Sequence, residues 1–279
     1  MSSPARQAAA RFAARPAAVF GLVVVVAFLA ASATAPLIAP YDPLKTSWTL
    51  IRRAPSAAHW MGTDENGRDV LARVLYGGRA SLLAGCVSVA IAAGVGVPLG
   101  LAAGYAGGWT DSAISRTVDA VLAIPYLILA IALAAFLGPS LGNVMIAVGA
   151  TFAPTFARVA RGAALDASAA DYVEAARALG NPPWRTALRH VLPNILPPVL
   201  VQATLAFALA IIAEASLSFL GLGQQPPEPS WGSMLNAAQQ FLDQAPWLAV
   251  FPGAAIFLAV LAFNLVGDGL RDALDPKAR

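Results

Sequence analysis

The sequence predicts an all-α polytopic membrane protein of six transmembrane helices, on three observations. Its residues are 58% hydrophobic and only 12% charged. Mean hydropathy is +0.67. The charges are clustered, which leaves 16–41, 80–110, 120–157, 191–213 and 245–267 with none. A helix needs about 20 largely apolar residues to cross the hydrocarbon core, and every one of these runs is long enough.

The elements follow in order. The first run predicts a helix over 16–39; it is longer than the apolar part of a secretory leader and lacks a convincing cleavage site. The second predicts 80–107. Run 120–157 is too long for one span, and "GPSLGN" at 138–143 is a turn that divides it into helices over 115–137 and 142–160. The remaining spans are 197–222 and 246–267.

Orientation comes from Lys and Arg beside the spans. The N-terminal tail carries Arg6, Arg11 and Arg15 without an acid, and the C-terminal end carries Arg271, Lys277 and Arg279, so both termini are expected in the cytoplasm. The segment with Arg158, Arg161, Arg177, Arg185 and Arg189 then falls on the same side, while 224–243, free of Lys and Arg, falls outside. The external loop 42–79 runs against the rule with Lys45, Arg52, Arg53, Arg68, Arg73 and Arg79, but it is long and holds four acids. The pI near 9.3 follows from this bias toward the inner face and does not indicate nucleic acid.

Several chemistries are excluded. "GPSLG" at 138–142 fits G-x-S-x-G, but a nucleophile elbow needs a strand before it, a helix after it and a base nearby. Here it joins two membrane helices, so it reads as a turn. There is no G-x-x-x-x-G-K-[ST] and the only lysines are Lys45 and Lys277, so no phosphate-cradling loop exists and this chain is not expected to hydrolyse ATP or bind a cofactor itself. Two separated histidines, His59 and His190, and no H-E-x-x-H leave no metal site. Cys86, the one cysteine, lies in the second span and forms no disulfide within the chain.

Inside the spans three features stand out. Gly96, Gly100, Gly104 and Gly108 recur every fourth residue, which lets helix backbones approach closely, either within the bundle or against a partner. Glu214 is a carboxylate at membrane depth, expected to face the interior in a structural or pathway-lining role rather than to relay protons. Asp119 lies near the inner end of the third span, where Arg116 is in i,i+3 reach.

The polar segment 171–194, "DYVEAARALGNPPWRTALRHVLPN", reads as two short helices. Tyr172, Val173, Ala176 and Leu179 form one apolar stripe. Gly180 suits a left-handed C-cap, Asn181 an N-cap, and Pro182 and Pro183 a first turn; Pro193 is expected to end the second helix. Such a unit docks something at the cytoplasmic surface or rests on lipid headgroups.

"EAARALGNPPWRTALRHVLPN" closely resembles the EAA loop of bacterial ABC importer permeases, matching at Glu174, Ala175, Ala176, Gly180 and the "HVLP" of 190–193. Three further blocks, "HWMGTDENGRDVLARVLYGGRASL" (59–82), "AEASLSFLGLG" with "QPPEPSWGSML" (213–235) and "LAFNLVGDGLRDALDP" (261–276), resemble the second permease of the dipeptide/oligopeptide/nickel branch. The resemblance implies a type I ABC importer permease fold in the bacterial inner membrane. It divides the chain into 1–75, the tail, first helix and external loop, and 76–279, a five-helix core with the EAA loop near 166–194. It implies three kinds of partner besides the bilayer: a second homologous permease, two cytoplasmic ATPases carrying ATP and Mg, and an extracytoplasmic solute-binding protein. Glu174, Ala175, Ala176, Leu179 and Gly180 would couple to an ATPase, and Asp64, Glu65, Arg68 and Asp69 would either contact the external partner or brace their own loop. The implied cargo is di- and oligopeptides, with nickel chelates, glutathione or oligosaccharides as alternatives on the same machinery. A stand-alone ion-coupled carrier would need inverted repeats and several intramembrane ionisable groups, and neither is evident.

Overall fold

The computed structural model describes residues 4–274, and Lys277 and Arg279 lie outside them. Its regular structure is helical: α1 (Pro4–Ala13), α2 (Pro16–Ala33), α3 (Ala35–Ile38), α4 (Val70–Ala106), α5 (Gly108–Leu122), α6 (Tyr126–Leu137), α7 (Leu141–Ser168), α8 (Asp171–Ala178), α9 (Pro183–Thr186), α10 (Leu192–Phe219), α11 (Trp231–Ala238) and α12 (Trp247–Leu274). Five stretches among the described residues are long and apolar enough to cross a membrane, and a sixth arises if α5 and α6 together count as one span.

Three boundaries differ from the sequence expectation. The second span starts at Val70 rather than near residue 80, because Asp69 caps the helix by accepting from the Ala72 backbone N–H at 2.8 Å. A 37-residue helix is about 55 Å long, against about 30 Å of hydrocarbon, so its first turns form a stalk outside the membrane. The third span is not one helix over 115–137, since α5 and α6 meet at 88°. Pro125 has no N–H to give and steers Ile124 out of the helical region, which ends α5 and lets α6 begin in a new direction. Nor does Pro193 stop the helix after α9. Residues 187–191 form one wide turn in which Leu192 N–H reaches back five residues to the Ala187 carbonyl. Pro193 therefore falls in the first turn of α10, where a missing donor costs little, and 183–219 is continuous.

The centre of the bundle is the α4–α7 pair. A Cβ on Gly96, Gly100 or Gly104 would overlap the carbonyl oxygens of Ala153, Ala157 and Arg161 respectively, so the glycine stripe is buried within this chain. Gly108 does not belong to it; α4 ends at Ala106, and Gly108 has φ +56 with open space around its Cα. Val144, Val148, Phe152 and Phe156 of α7 and Ile195 and Leu217 of α10 complete this core.

The two ends of the bundle differ in character. At one, the Trp231 indole donates to the Val74 carbonyl at 3.0 Å and the Trp247 indole to the Thr63 carbonyl at 3.2 Å, tying α4, α11, α12 and loop 39–69 together. At the other, Arg15 pairs with Asp272 and the Arg177 guanidinium lies 5.0 Å from the Tyr105 ring centroid, so the start of α2 and the end of α12 share a face with α8.

Candidate functional site

The segment 171–194 is built from its caps outward. Gly180 has φ +77, the left-handed conformation that a Cβ disfavours. Its N–H bonds the Arg177 carbonyl at 2.9 Å, and the Asn181 N–H bonds the Ala176 carbonyl at 3.2 Å, the two bonds of a Schellman motif. Asn181 is thus used in closing α8 and does not cap α9, whose N-cap position is Pro182. The expected apolar stripe divides. Val173 and Ala176 are buried, Val173 within the central core, and fix α8 to the base of the bundle. Tyr172 is 45% exposed, Leu179 84% and Trp184 67%. Glu174, Ala175 and Gly180 are exposed as well. A short helix closed by this cap therefore presents large apolar side chains and the carboxylates of Asp171 and Glu174 to whatever lies beneath it. Exposed apolar groups held this rigidly are a docking surface in waiting.

At the opposite end, Asp64, Glu65 and Arg68 form one network and Asp69 anchors the loop beside it. Asp64 accepts from the Asn66 and Arg68 backbone N–H groups, each at 2.9 Å, and from Arg68 Nε at 2.6 Å. Arg68 also reaches Glu65 at 2.7 Å, and Arg73 approaches Asp64 at 3.3 Å. Asp69 caps α4 and holds His59 Nδ1 at 2.9 Å. Asp64, Arg68 and Asp69 are buried and brace the loop on the α4 stalk, while Glu65 is half-buried. Arg73, which the sequence does not single out, is the keystone: its guanidinium also donates to the carbonyls of Pro43 at 3.1 Å and Pro227 at 3.3 Å, joining two segments at this end of the bundle.

Glu214 is 1% exposed. Ser218 donates to its Oε1 at 2.7 Å, and the hydroxyls of Ser81 and Ser230 adjoin the same carboxyl. Ser230 caps α11 and Ser81 accepts from the Trp231 N–H at 3.3 Å, so Glu214 sits where α4, α10 and α11 meet. That enclosure serves the structural half of its expected role. Asp119 pairs with Arg158 of α7 at 2.6 Å rather than with Arg116. In the "GPSLG" turn, Ser140 accepts from the Asn143 N–H at 3.1 Å and caps α7. No cluster of His, Cys, Asp and Glu capable of holding a metal occurs among the described residues.

Comparison with known proteins agrees with this arrangement. Residues 96–279 match the family model described as "Binding-protein-dependent transport system inner membrane component", and residues 3–55 match "N-terminal TM domain of oligopeptide transport permease C". The chain is 45% identical to the dipeptide transport system permease protein DppC of Alkalihalophilus pseudofirmus over 99% of its own length and 91% of that protein. It is 44% identical to the glutathione transport system permease protein GsiD of Pectobacterium atrosepticum, over 99% and 92%. It is 46% identical to the probable D,D-dipeptide transport system permease protein DdpC of Escherichia coli K12, over 94% and 88%. Among solved structures, a chain of the inward-facing MetNI methionine ABC transporter superposes with TM-score 0.60 at 20% identity, covering 74% of this chain and 98% of that one.

Proposed function

The chain belongs to the family of binding-protein-dependent transport system inner membrane components, and on that premise we propose that it carries di- and oligopeptides into the cytoplasm as one half of a two-permease pathway. It is a multi-pass permease subunit of an ABC importer, a class that works with ATPase and binding-protein partners. In our reading the assembly holds this chain, a second homologous permease, two cytoplasmic ATPases that bind ATP and Mg, and an external solute-binding protein. The termini face the cytoplasm, in keeping with Arg6, Arg11 and Arg15 in the tail. No chemistry is assigned to this chain itself; its task is to convert the motion of the ATPases into a tilt of helices.

The observation that carries the reading is the geometry of α8. Glu174, Ala175 and Ala176 lie on α8, and Leu179 and Gly180 form the turn that ends it; the helix's inner side, Val173 and Ala176, is fixed to the bundle. Its outer side ends in the exposed Leu179. A push on such a helix is delivered to α7 through the short link 169–170 and to the continuous 183–219 helix through the hydrogen-bonded turn at Gly180. ATP-driven closure of the ATPases would then bias the bundle from inward-open to outward-open, with binding energy shifting a two-state equilibrium.

The test is ATP-dependent uptake of a labelled dipeptide into proteoliposomes holding this chain with its co-encoded permease, ATPases and binding protein. Uptake that vanishes without ATP or without binding protein supports the reading. The similarity to glutathione permeases makes glutathione the second cargo to try. An intact complex that hydrolyses ATP yet imports neither would overturn the peptide assignment and turn attention to nickel chelates and oligosaccharides.

A further inference from the structure

Where α5 breaks into α6, the membrane region holds a cavity of about 300 Å³ lined by Ile124, Pro125, Tyr126, Thr155, Gln202 and Leu209 among others. Its walls are mostly apolar, which makes the exceptions informative. Gln202 lies midway along the uncharged run 191–213, and no described residue hydrogen-bonds its side-chain amide. The hydroxyls of Thr155 and Tyr126, on the same cavity, also lack a partner among the described residues, whereas Thr151 beside them is satisfied by the Ala147 carbonyl at 2.7 Å. A polar group without a partner in hydrocarbon is costly, so such groups face water or a ligand. The backbone supports the same conclusion independently. A helix interrupted at membrane depth leaves carbonyl and N–H groups unpaired, and this is tolerated only where the break is buried in protein or lines a wet cavity.

We propose that this cavity is a contact site for the transported molecule within the membrane, with Gln202 exchanging hydrogen bonds with the backbone amides of a peptide-like cargo; this rests on the permease reading above. A carboxamide carries both an N–H donor and a carbonyl acceptor, which pair with the C=O and the N–H of a peptide bond. It therefore recognises what all peptides share and ignores what distinguishes them. The side-chain walls suit that role: Tyr126 stacks on Phe152 with ring centroids 5.7 Å apart, and Leu209 adds aliphatic surface, so a cargo side chain meets shape without specific charge. A site of this kind binds weakly enough to release, as transport requires.

The test uses the complete reconstituted complex. Gln202→Leu keeps the volume and removes the amide; the expected result is a fall of about tenfold in dipeptide imported per ATP hydrolysed, the consequence of one lost hydrogen bond in a desolvated site. Gln202→Asn, which keeps the amide on a shorter stem, is expected to recover part of it, and Phe257→Leu, on an exposed face of α12, to change nothing. Separately, Gln202→Cys in a Cys86→Ser background is expected to react with a membrane-impermeant methanethiosulfonate, and excess dipeptide with binding protein is expected to slow that reaction. An unchanged import ratio in Gln202→Leu overturns the proposal. So does a Gln202→Cys variant whose new thiol reacts only with membrane-permeant N-ethylmaleimide, which would place this face against lipid or the partner permease. If the unmodified complex imports no dipeptide, the cargo assignment fails, yet the thiol reaction still decides whether the cavity is wet.

Discussion

Gly100 packs directly on Ala157: a Cβ at Gly100 would overlap the Ala157 carbonyl oxygen and fall within 2.7 Å of the Ala160 methyl. The obstacle is helix backbone, which cannot rotate away as a side chain can. Gly100→Val is therefore expected to destabilise the protein by about 1–3 kcal/mol or more through overpacking. Gly94, in the same helix with open space at its Cα, is the control, and Gly94→Ala is expected to be neutral or slightly stabilising. Thermal unfolding of the two variants in detergent, read against the unmodified protein, checks both.

Asp64 holds two buried guanidinium groups, Arg68 at 2.6 Å and Arg73 at 3.3 Å. Asp64→Asn keeps an acceptor and removes the charge, which leaves positive charge buried without full compensation. Breaking one side of a buried pair costs about 3–5 kcal/mol. Glu65 still reaches Arg68, and the carbonyls of Pro43 and Pro227 still hold Arg73, so the lower end of that range is expected. The loss should appear as faster tryptic cleavage in loop 39–69 of vesicles with that face outward, while the transmembrane helices remain protected.

The spans are legible in the sequence because a bilayer imposes one simple demand, and charge-free runs meet it visibly. What stays hidden depends on partners distant in sequence. Spacing announces that Gly96, Gly100 and Gly104 touch something; it does not say that the something is α7. Asp119 finds Arg158, 39 residues away, because adjacent helices bring it closer than the local Arg116. Pro125 is a visible breaker yet lies inside an apolar run long enough to mask it, and Pro193 resembles a stop only until one wide turn upstream cancels its effect. Gly180, by contrast, is readable in full, since its cap is a purely local structure. The burial of Asp64, Arg68 and Asp69 is not, because a charged loop looks the same in sequence whether it is solvated or folded on itself.

Glu214 offers one oxygen to Ser218 at 2.7 Å, while its other oxygen, Oε2, is buried without a hydrogen-bond partner among the described residues. Gln fits such a site, since its carbonyl replaces the bonded oxygen and its amide donates toward Ser81 or Ser230. Glu214→Ala instead leaves a void and strands buried hydroxyls, at about 1–3 kcal/mol. Glu214→Gln is expected to melt close to the unmodified protein and Glu214→Ala well below it. If the alanine variant melted unchanged, the junction of α4, α10 and α11 would not depend on this carboxyl.

The sharpest consequence concerns the turn that ends α8. Proline cannot take φ +77 and cannot supply the N–H that Gly180 gives to the Arg177 carbonyl, so Gly180→Pro must reshape the Schellman turn. Alanine keeps the N–H and meets only the left-handed penalty of about 1–2 kcal/mol. The turn is exposed and nothing lies within 4 Å of a Cβ there, so neither change disturbs the core; both variants should insert and lose only the local stability of the turn. What changes is the direction in which Leu179 and Trp184 point, and with it, on the coupling role proposed above, the fit to an ATPase. Gly180→Pro, and Glu174→Arg by reversing an exposed charge on that helix, are expected to lower ATPase stimulation by loaded binding protein at least about tenfold, equivalent to some 1.4 kcal/mol of lost coupling. Gly180→Ala should fall between them and the unmodified chain. Stimulation that survived both Gly180→Pro and Glu174→Arg would mean that force enters this permease somewhere other than α8.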